Sequence, residues 1–210
     1  MNRAAVILAF ALVSVSALGI ALFVPLSGKT GSKTLDNLMT AYNGESNARA
    51  KYLAYADKAD REGYGKVASL FRAAAMSEEI HLNNHAVVIQ AMGGTPRASI
   101  ELPKIGTTRE NLSDAKNGES YERQTMYPQF IAQAEKEKNA NAVRTFTYSS
   151  NAEAQHAKLY GQALDNLKEW KTGKSEFSVC SVCGYTVESK PSFAVCPVCA
   201  TPSKLYKSVT

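Results

Sequence analysis

The sequence predicts an all-α four-helix bundle followed by a small module organised around a metal. Three observations carry this. Four long segments repeat apolar residues at spacings of three and four, as a helix with one buried face requires. Two of them carry a Glu-x-x-His pair, Glu78-x-x-His81 and Glu153-x-x-His156, and the other two carry glutamates on the apolar stripe. Near the C-terminus stand Cys180-x-x-Cys183 and Cys196-x-x-Cys199. At about 3.6 residues per turn, a spacing of three puts carboxylate and imidazole on one helix face. One Glu from each of two helices and Glu-x-x-His from each of the other two is the ligand set of a dinuclear carboxylate bundle.

The chain of 210 residues is 45% hydrophobic, enough for one well-buried core and a small appendage. Its net charge of +5 is modest and dispersed, with no basic block interleaved with aromatics, so nucleic acid is excluded as the expected partner. The four cysteines could form two disulfides, but paired Cys-x-x-Cys turns read as a tetrathiolate metal site.

Residues 1–27 form a hydrophobic anchor or signal segment, because 4–25 hold no charge. About 20 apolar residues cross a bilayer as a helix. The competing reading is a cleaved signal peptide, with Arg3 as its basic end and Val15-Ser16-Ala17 as the cleavage site. Apolar character runs on to Leu26, which favours an uncleaved anchor. Arg3 and the amino terminus favour a cytoplasmic N-terminus with the soluble part outside the cytoplasmic membrane, and Lys29 and Lys33 on the other flank weaken that bias.

Residues 28–172 hold the bundle. The first helix is expected from Thr34 to about Gly63, with Glu45 in the middle of a face shared by Leu38, Tyr42, Tyr52 and Ala56. A carboxylate is rarely buried unless paired or bound to metal. After a Gly63-Tyr64-Gly65 turn, a second helix from Lys66 to Met92 carries Val67, Leu70, Phe71, Ala74, Glu78, His81 and His85 on its inner stripe, and Gly93-Gly94 ends it. His85 reads as a core histidine near the site, with a further ligand or proton carrier as the alternative. Residues 95–116 lack periodicity and form a long crossover connection. The third helix is expected from about Asn117 to Glu137, with Glu119 and Glu122 on one face, two candidate metal ligands where the minimal set needs one, and Pro128 kinking it or interrupting one backbone hydrogen bond. The fourth, from about Asn139 to Thr172, carries Val143, Phe146, Ser150, Glu153, Ala157 and Tyr160, with His156 beside the seam. Residues 173–210 form the cysteine module, too small for an apolar core of its own and so dependent on its metal.

The residues after position 33 resemble rubrerythrin. The matching pieces are Gly44-Glu45-Ser46 with Arg49 and Tyr52; Glu78-x-x-His81-Leu82; Gly118-Glu119-x-x-Glu122 followed by Met126-Tyr127-Pro128; Glu153-x-x-His156; and Cys180-Ser181-Val182-Cys183-Gly184-Tyr185 with Cys196-Pro197-Val198-Cys199. The resemblance implies a ferritin-like di-iron domain fused to a rubredoxin-like one-iron domain, acting as a peroxide reductase. It makes Glu122 the extra carboxylate that sets rubrerythrins apart from ferritins, and Tyr52 and Tyr127 the tyrosines lining the di-iron site. It also implies head-to-tail homodimers in which one subunit's rubredoxin-like domain approaches its partner's di-iron site. The hydrophobic N-terminus departs from the usual form.

Hard iron ions suit carboxylates, and each imidazole adds one softer nitrogen. Glu78 and Glu153 can bridge two irons, leaving Glu45 with one and Glu119 with the other, and two metals about 3.5–4 Å apart can hold both oxygens of a peroxide. At Cys180, Cys183, Cys196 and Cys199 the resemblance favours iron, although zinc fits the same ligands. The expected function is therefore reduction of hydrogen peroxide, protecting against oxidative stress, with electrons from a rubredoxin or reductase entering through the tetrathiolate iron. The alternative is a ferroxidase or iron-handling protein. Glu122 and the cysteine module argue against it, since neither helps storage.

Overall fold

A computed structural model describes residues 31–101, 104–171 and 173–210. The expected anchor or signal segment lies outside them, and among the described residues no helix is long and apolar enough to cross a membrane.

Helices α1 (Lys33–Arg61) and α2 (Gly65–Ala91) form a hairpin whose turn contains Gly63 at φ +78°. That left-handed value suits a residue without a Cβ, and Gly93 at φ +82° ends α2 in the same way. Ser32 caps α1, its hydroxyl accepting from Leu35 N and donating to Glu137 at 2.6 Å, which ties the start of α1 to the end of the third helical stretch.

The third stretch differs from expectation at its start. It opens with α3 (Thr108–Tyr121), passes through a π-helical turn (Glu122–Met126) and continues as α4 (Tyr127–Lys136). The early start has a local cause: Thr107 and Glu110 form a reciprocal capping box. Glu62, from the end of α1, accepts from both Thr108 N at 2.8 Å and Thr108 Oγ1 at 2.6 Å. The π turn sits just before Pro128, which has no N–H and would clash with the carbonyl four residues back. The chain adjusts by a wider turn there.

Asn139 caps α5 (Ala140–Asp165), which stops short of Thr172. Beyond it, turns fold Leu167 and Trp170 back into the core. The Trp170 ring lies tilted against Phe177, with ring centroids 6.4 Å apart, and Lys66 Nζ lies 4.2 Å from the Trp170 centroid. The crossover segment is pinned to α1: Asn43 accepts from Ser99 N, and Asn47 bonds both Ser99 O and Glu101 N at 2.7–2.8 Å.

The cysteine module is a three-stranded antiparallel sheet, order β2-β1-β3, of β1 (Phe177–Cys180), β2 (Thr186–Glu188) and β3 (Tyr206–Val209). It packs on α2 of its own chain. Phe177 and Val179 are fully buried in the apolar cluster that contains Leu70, Phe71 and Ala74, and each such burial contributes about 1.5–3 kcal/mol. The module therefore does not rest on a metal alone, as its size suggested. It borrows the bundle's core.

Candidate metal centres

Six side chains from four helices meet at the middle of the bundle: Glu45 from α1, Glu78 and His81 from α2, Glu119 from α3, and Glu153 and His156 from α5. Each is at most 1% exposed. Glu45, Glu78, His81 and Glu153 each offer one ligand atom within 4.8 Å of the others, and so do Glu78, Glu119, Glu153 and His156. Glu78 and Glu153 belong to both groups, which is the arrangement two bridging carboxylates give. His156 lies in the seam rather than beside it, because the cysteine module covers the side of α5 that a bare bundle would leave open. Ser149, not Ser150, is the buried serine of that helix.

Both imidazoles turn Nδ1 inward. His81 Nδ1 lies 2.8 Å from Glu78 and 3.0 Å from Glu153. His156 Nδ1 lies 2.9 Å from Glu153, 3.5 Å from Glu78 and 3.6 Å from Glu119. Burial pushes the Glu78 carboxyl well above its ordinary range, with the Glu153 charge adding to it, and raises Glu119 to about 7 for the same two reasons. Burial opposes ionisation of Glu153 too, but the flanking imidazoles hold it below its usual value. Burial likewise disfavours charge on the imidazoles, yet Glu153 at His81 and Glu119 at His156 carry both pKa values upward.

The donor set passes a direct test of fit for metal. Glu45 Oε2, Glu78 Oε1, Glu119 Oε2, both Glu153 oxygens and His156 Nδ1 are buried without a hydrogen-bond partner. Buried acceptors left bare cost about 1–3 kcal/mol each, and here they converge. Oxygen-rich sites with one imidazole per metal suit iron.

Two tyrosines brace the outer carboxylates. Tyr52 donates to Glu119 at 2.6 Å, and Tyr127 donates to Glu45. Burial, then the charge of Glu119 at Tyr52 and of Glu45 at Tyr127, raises both phenols, so they stay protonated donors. His85 is a core residue beside the site, on the line from Thr145 to Tyr127. Its Nδ1 is 3.0 Å from Thr145 Oγ1 and its Nε2 is 3.3 Å from Tyr127 Oη. The Tyr127 hydrogen is committed to Glu45, so the phenol oxygen accepts from Nε2–H and Nδ1 accepts from Thr145. Burial lowers the His85 pKa, consistent with a neutral ring.

Glu122 is placed differently from the other carboxylates. The π turn sets it at the inner wall of a cleft of about 450 Å³, lined also by Gly44, Lys51, Tyr52, Ser99 and Gly118. It falls in neither four-residue group, although it shares the electrostatics of the cluster. Part of the residue meets solvent, yet desolvation and then the charge of Glu45 push its carboxyl well above the usual range.

The four cysteines form the second centre. Their sulfurs lie within 4.8 Å of one another, and all four are free thiols, so the disulfide alternative is not formed. The two Cys-x-x-Cys turns close alike, with Gly184 N donating to Cys180 O and Ala200 N to Cys196 O, both at 3.0 Å. Gly184 and Ala200 take left-handed φ values of +77° and +60°.

The centres touch within one chain. His81 Nε2 meets the Cys183 carbonyl at 3.1 Å, Ser77 donates to Gly184 O at 2.8 Å, and His156 Nε2 lies 3.1 Å from Thr186 Oγ1. The resemblance led us to expect this approach from a partner subunit's module; here the chain's own module makes it. Ser77, Thr145 and Thr186 were not foreseen: Thr186 is an acceptor that only docking supplies, and Ser77 and Thr145 are helix residues whose partners lie on other elements.

The family model for rubrerythrin matches residues 36–164. Nigerythrin of Nitratidesulfovibrio vulgaris is 37% identical over 174 residues, 82% of this chain and 85% of its own. Rubrerythrin of Porphyromonas gingivalis is 32% identical over 182 residues, 84% and 90% of the two chains. A solved structure of nigerythrin, fully reduced and all ferrous, superposes with a TM-score of 0.78 at 34% identity, covering 89% of this chain and 91% of that one. Bacterioferritin of Desulfovibrio desulfuricans, at 22% identity and a TM-score of 0.59 over 65% of this chain and 81% of its own, shares the fold. The bundle is therefore ferritin-like, the appended four-cysteine module is rubredoxin-like, and the chain belongs to the rubrerythrin family.

Proposed function

We propose that this protein reduces hydrogen peroxide to water, H2O2 + 2 H⁺ + 2 e⁻ → 2 H2O, as a non-haem di-iron peroxidase that protects against oxidative stress. Glu45, Glu78, His81, Glu119, Glu153 and His156 hold the iron pair, and the four cysteines hold one further iron. The observation that carries this reading is the contact between the two centres, where a ligand histidine of one meets the backbone carbonyl of a cysteine of the other at 3.1 Å. Two ferrous ions, when bound, supply both electrons together, which lets the O–O bond break without releasing a hydroxyl radical.

The chain's own residues do the rest. Peroxide enters by the cleft between α1, the crossover segment and the π turn, whose mouth Asn43 and Asn47 keep in shape by holding Ser99 and Glu101. Glu122 is the carboxyl that meets the incoming molecule, and its raised pKa lets it carry a proton there. Tyr52 and Tyr127 hold Glu119 and Glu45 in place as donors. The apolar wall behind Tyr52, formed by Phe71 and Tyr160, keeps bulk water from that side. Electrons pass from Cys183 to the His81 ring through covalent bonds and one hydrogen bond.

A rubredoxin or a reductase supplies those electrons from outside. A homodimer is part of the proposal on the family resemblance, and electron delivery as drawn here does not depend on it. The uncharged stretch 4–25 supports a chain that is membrane-anchored or exported, with its soluble part outside the cytoplasmic membrane; fractionation and protease accessibility of the full chain in intact cells test this.

The test of function uses the fully reduced, iron-loaded protein without oxygen. One equivalent of hydrogen peroxide is added, and the visible bands of the oxidised pair and of the ferric tetrathiolate are followed. Rapid oxidation of the pair, then tetrathiolate colour that added reductant bleaches over many cycles, is expected. Slow reaction with peroxide but fast reaction with oxygen would move the reading to iron oxidation and storage. A tetrathiolate that stays colourless would point to zinc.

A further inference from the structure

We propose that Thr186, on the four-cysteine module, is a positioning residue of the dinuclear site, its hydroxyl oxygen accepting from His156 Nε2–H so that Nδ1 is left to bind metal. The inference rests on the reading that the six bundle residues hold a metal pair.

The hydrogen-bond directions follow from one another. Thr186 Oγ1 lies 2.9 Å from Gly184 O, a pure acceptor, so the threonine hydrogen is spent there. The same oxygen lies 3.1 Å from His156 Nε2 and has only lone pairs left to offer. The ring nitrogen facing it must then carry the proton. The form of the ring that binds metal is the neutral imidazole, which has one N–H; with that hydrogen held at Nε2, Nδ1 keeps its lone pair for the ion. That nitrogen faces Glu153 at 2.9 Å, Glu78 at 3.5 Å and Glu119 at 3.6 Å, and makes no hydrogen bond of its own. An outer partner that selects a ligand histidine's tautomer and fixes its ring is a general device of metal sites, and its loss typically lowers metal affinity about 10–100-fold.

Thr186 is well placed to do this. It is the first residue of β2, fully buried, and paired with Val179 of β1 in the sheet register. Its branched side chain has little rotamer freedom. The equivalent outer nitrogen of His81 meets Cys183 O, also on the module. Both ligand histidines are thus completed by the element that brings the electrons, and Thr186 is the one side chain among these two contacts that substitution can remove cleanly.

The test compares full-length protein with Thr186→Val, which keeps the shape and removes the hydroxyl, and Thr186→Ser, which keeps the hydroxyl. Ferrous ion is bound anaerobically in competition with a chelator, and metal retained by the bundle is measured apart from the tetrathiolate, whose own absorption reports an intact module. Thr186→Val is expected to lower affinity for the pair by about tenfold or more, with unchanged tetrathiolate absorption and melting temperature, and Thr186→Ser to restore most of it. Equal affinity in Thr186→Val and the natural protein would overturn the proposal and leave Thr186 a packing residue. Should the valine variant not fold, nitrogen NMR of the natural protein loaded with zinc decides: the Nε2–H tautomer at His156 supports the proposal, and the Nδ1–H tautomer overturns it. If the natural protein binds no metal pair while its tetrathiolate is intact, the functional reading fails with it, an outcome distinct from failure of Thr186 alone.

Discussion

The two halves of the dinuclear cluster are built from the same parts and finished differently. Each has an outer glutamate braced by a tyrosine, Glu45 with Tyr127 and Glu119 with Tyr52, and each has a Glu-x-x-His pair. Behind Tyr127 lies a polar line through His85 to Thr145; behind Tyr52 lies an aromatic wall of Phe71 and Tyr160. The outward nitrogen of His81 meets a backbone carbonyl, whereas that of His156 meets a threonine hydroxyl. Repeated helix geometry dictates what the halves share. What differs comes from the cysteine module, the cleft and the π turn, which are single copies and so present different groups to the two halves.

The largest effect is expected at the feature neither half duplicates. Glu122→Ala should slow peroxide turnover by roughly 10²-fold or more, the range for a lost general acid, while both irons stay bound by the six residues of the two groups. Metal analysis beside steady-state kinetics checks this, and a normal rate would reduce Glu122 to a solvated acid of the cleft wall.

Next in size is Gly184→Ala. A Cβ there would run into Ser77 Oγ and His81 Nε2, and φ +77° is unfavourable for alanine. The module must shift off the His81 half. Misplacement on the scale of an ångström can cost on the order of 10²-fold, so electron transfer from the tetrathiolate should slow by about that factor. Oxidation of a pre-reduced pair by one equivalent of peroxide should not change, and stopped-flow traces separate the two steps.

Smaller still, His85→Leu removes the acceptor of the Thr145 hydroxyl and touches only the Glu45 half. It should destabilise the fold by about 1–3 kcal/mol, the cost of a buried group left unpaired, while the affinity of the Glu119 half for metal is unaltered. Thermal unfolding and the metal titration used for Thr186→Val read the two consequences separately. A loss of metal from both halves would show that His85 acts as a ligand.

The mildest prediction compares the two cysteine turns. Gly184 and Ala200 sit at corresponding places with positive φ, but only one is glycine. Ala200→Gly relieves a left-handed alanine, which costs about 1–2 kcal/mol, and gives back part of this through greater freedom of the unfolded chain. A net gain of up to about 1 kcal/mol in resistance of the tetrathiolate to chelators is expected. No gain would mean that the metal already dominates that turn's conformation.

Much of this was legible in the residues. Glu78-x-x-His81 and Glu153-x-x-His156 are local signals, because helical periodicity alone places both members of each pair on one face. Glu45 and Glu119 were legible as carboxylates on an apolar stripe, where metal is the common compensation. The early start of α3 was also written in the chain, in the Thr107-x-x-Glu110 capping box, and was obscured by the prolines and glycine before it. The end of α5 was not: Leu167 and Trp170 continue the apolar spacing, and only the presence of Phe177 beside Trp170 makes a fold-back better than another helical turn.

By itself, then, the sequence determined the four helices, the two Glu-x-x-His pairs and the outer glutamates, since each depends on spacing within a turn or two of chain, and it marked the four-sulfur centre by two Cys-x-x-Cys turns that metal chemistry pairs. Only the tertiary structure decided that Glu122 lines the cleft rather than joining its neighbour Glu119, that His156 lies in the seam, and that Cys183 and Thr186 complete the two histidines. Those outcomes depend on which surfaces meet across more than a hundred residues for His81 with Cys183, and thirty for His156 with Thr186. A hydrogen-bond acceptor brought by docking leaves no periodicity behind, because its position is set by the packing of Phe177 and Val179 into the bundle core and not by the residues beside it.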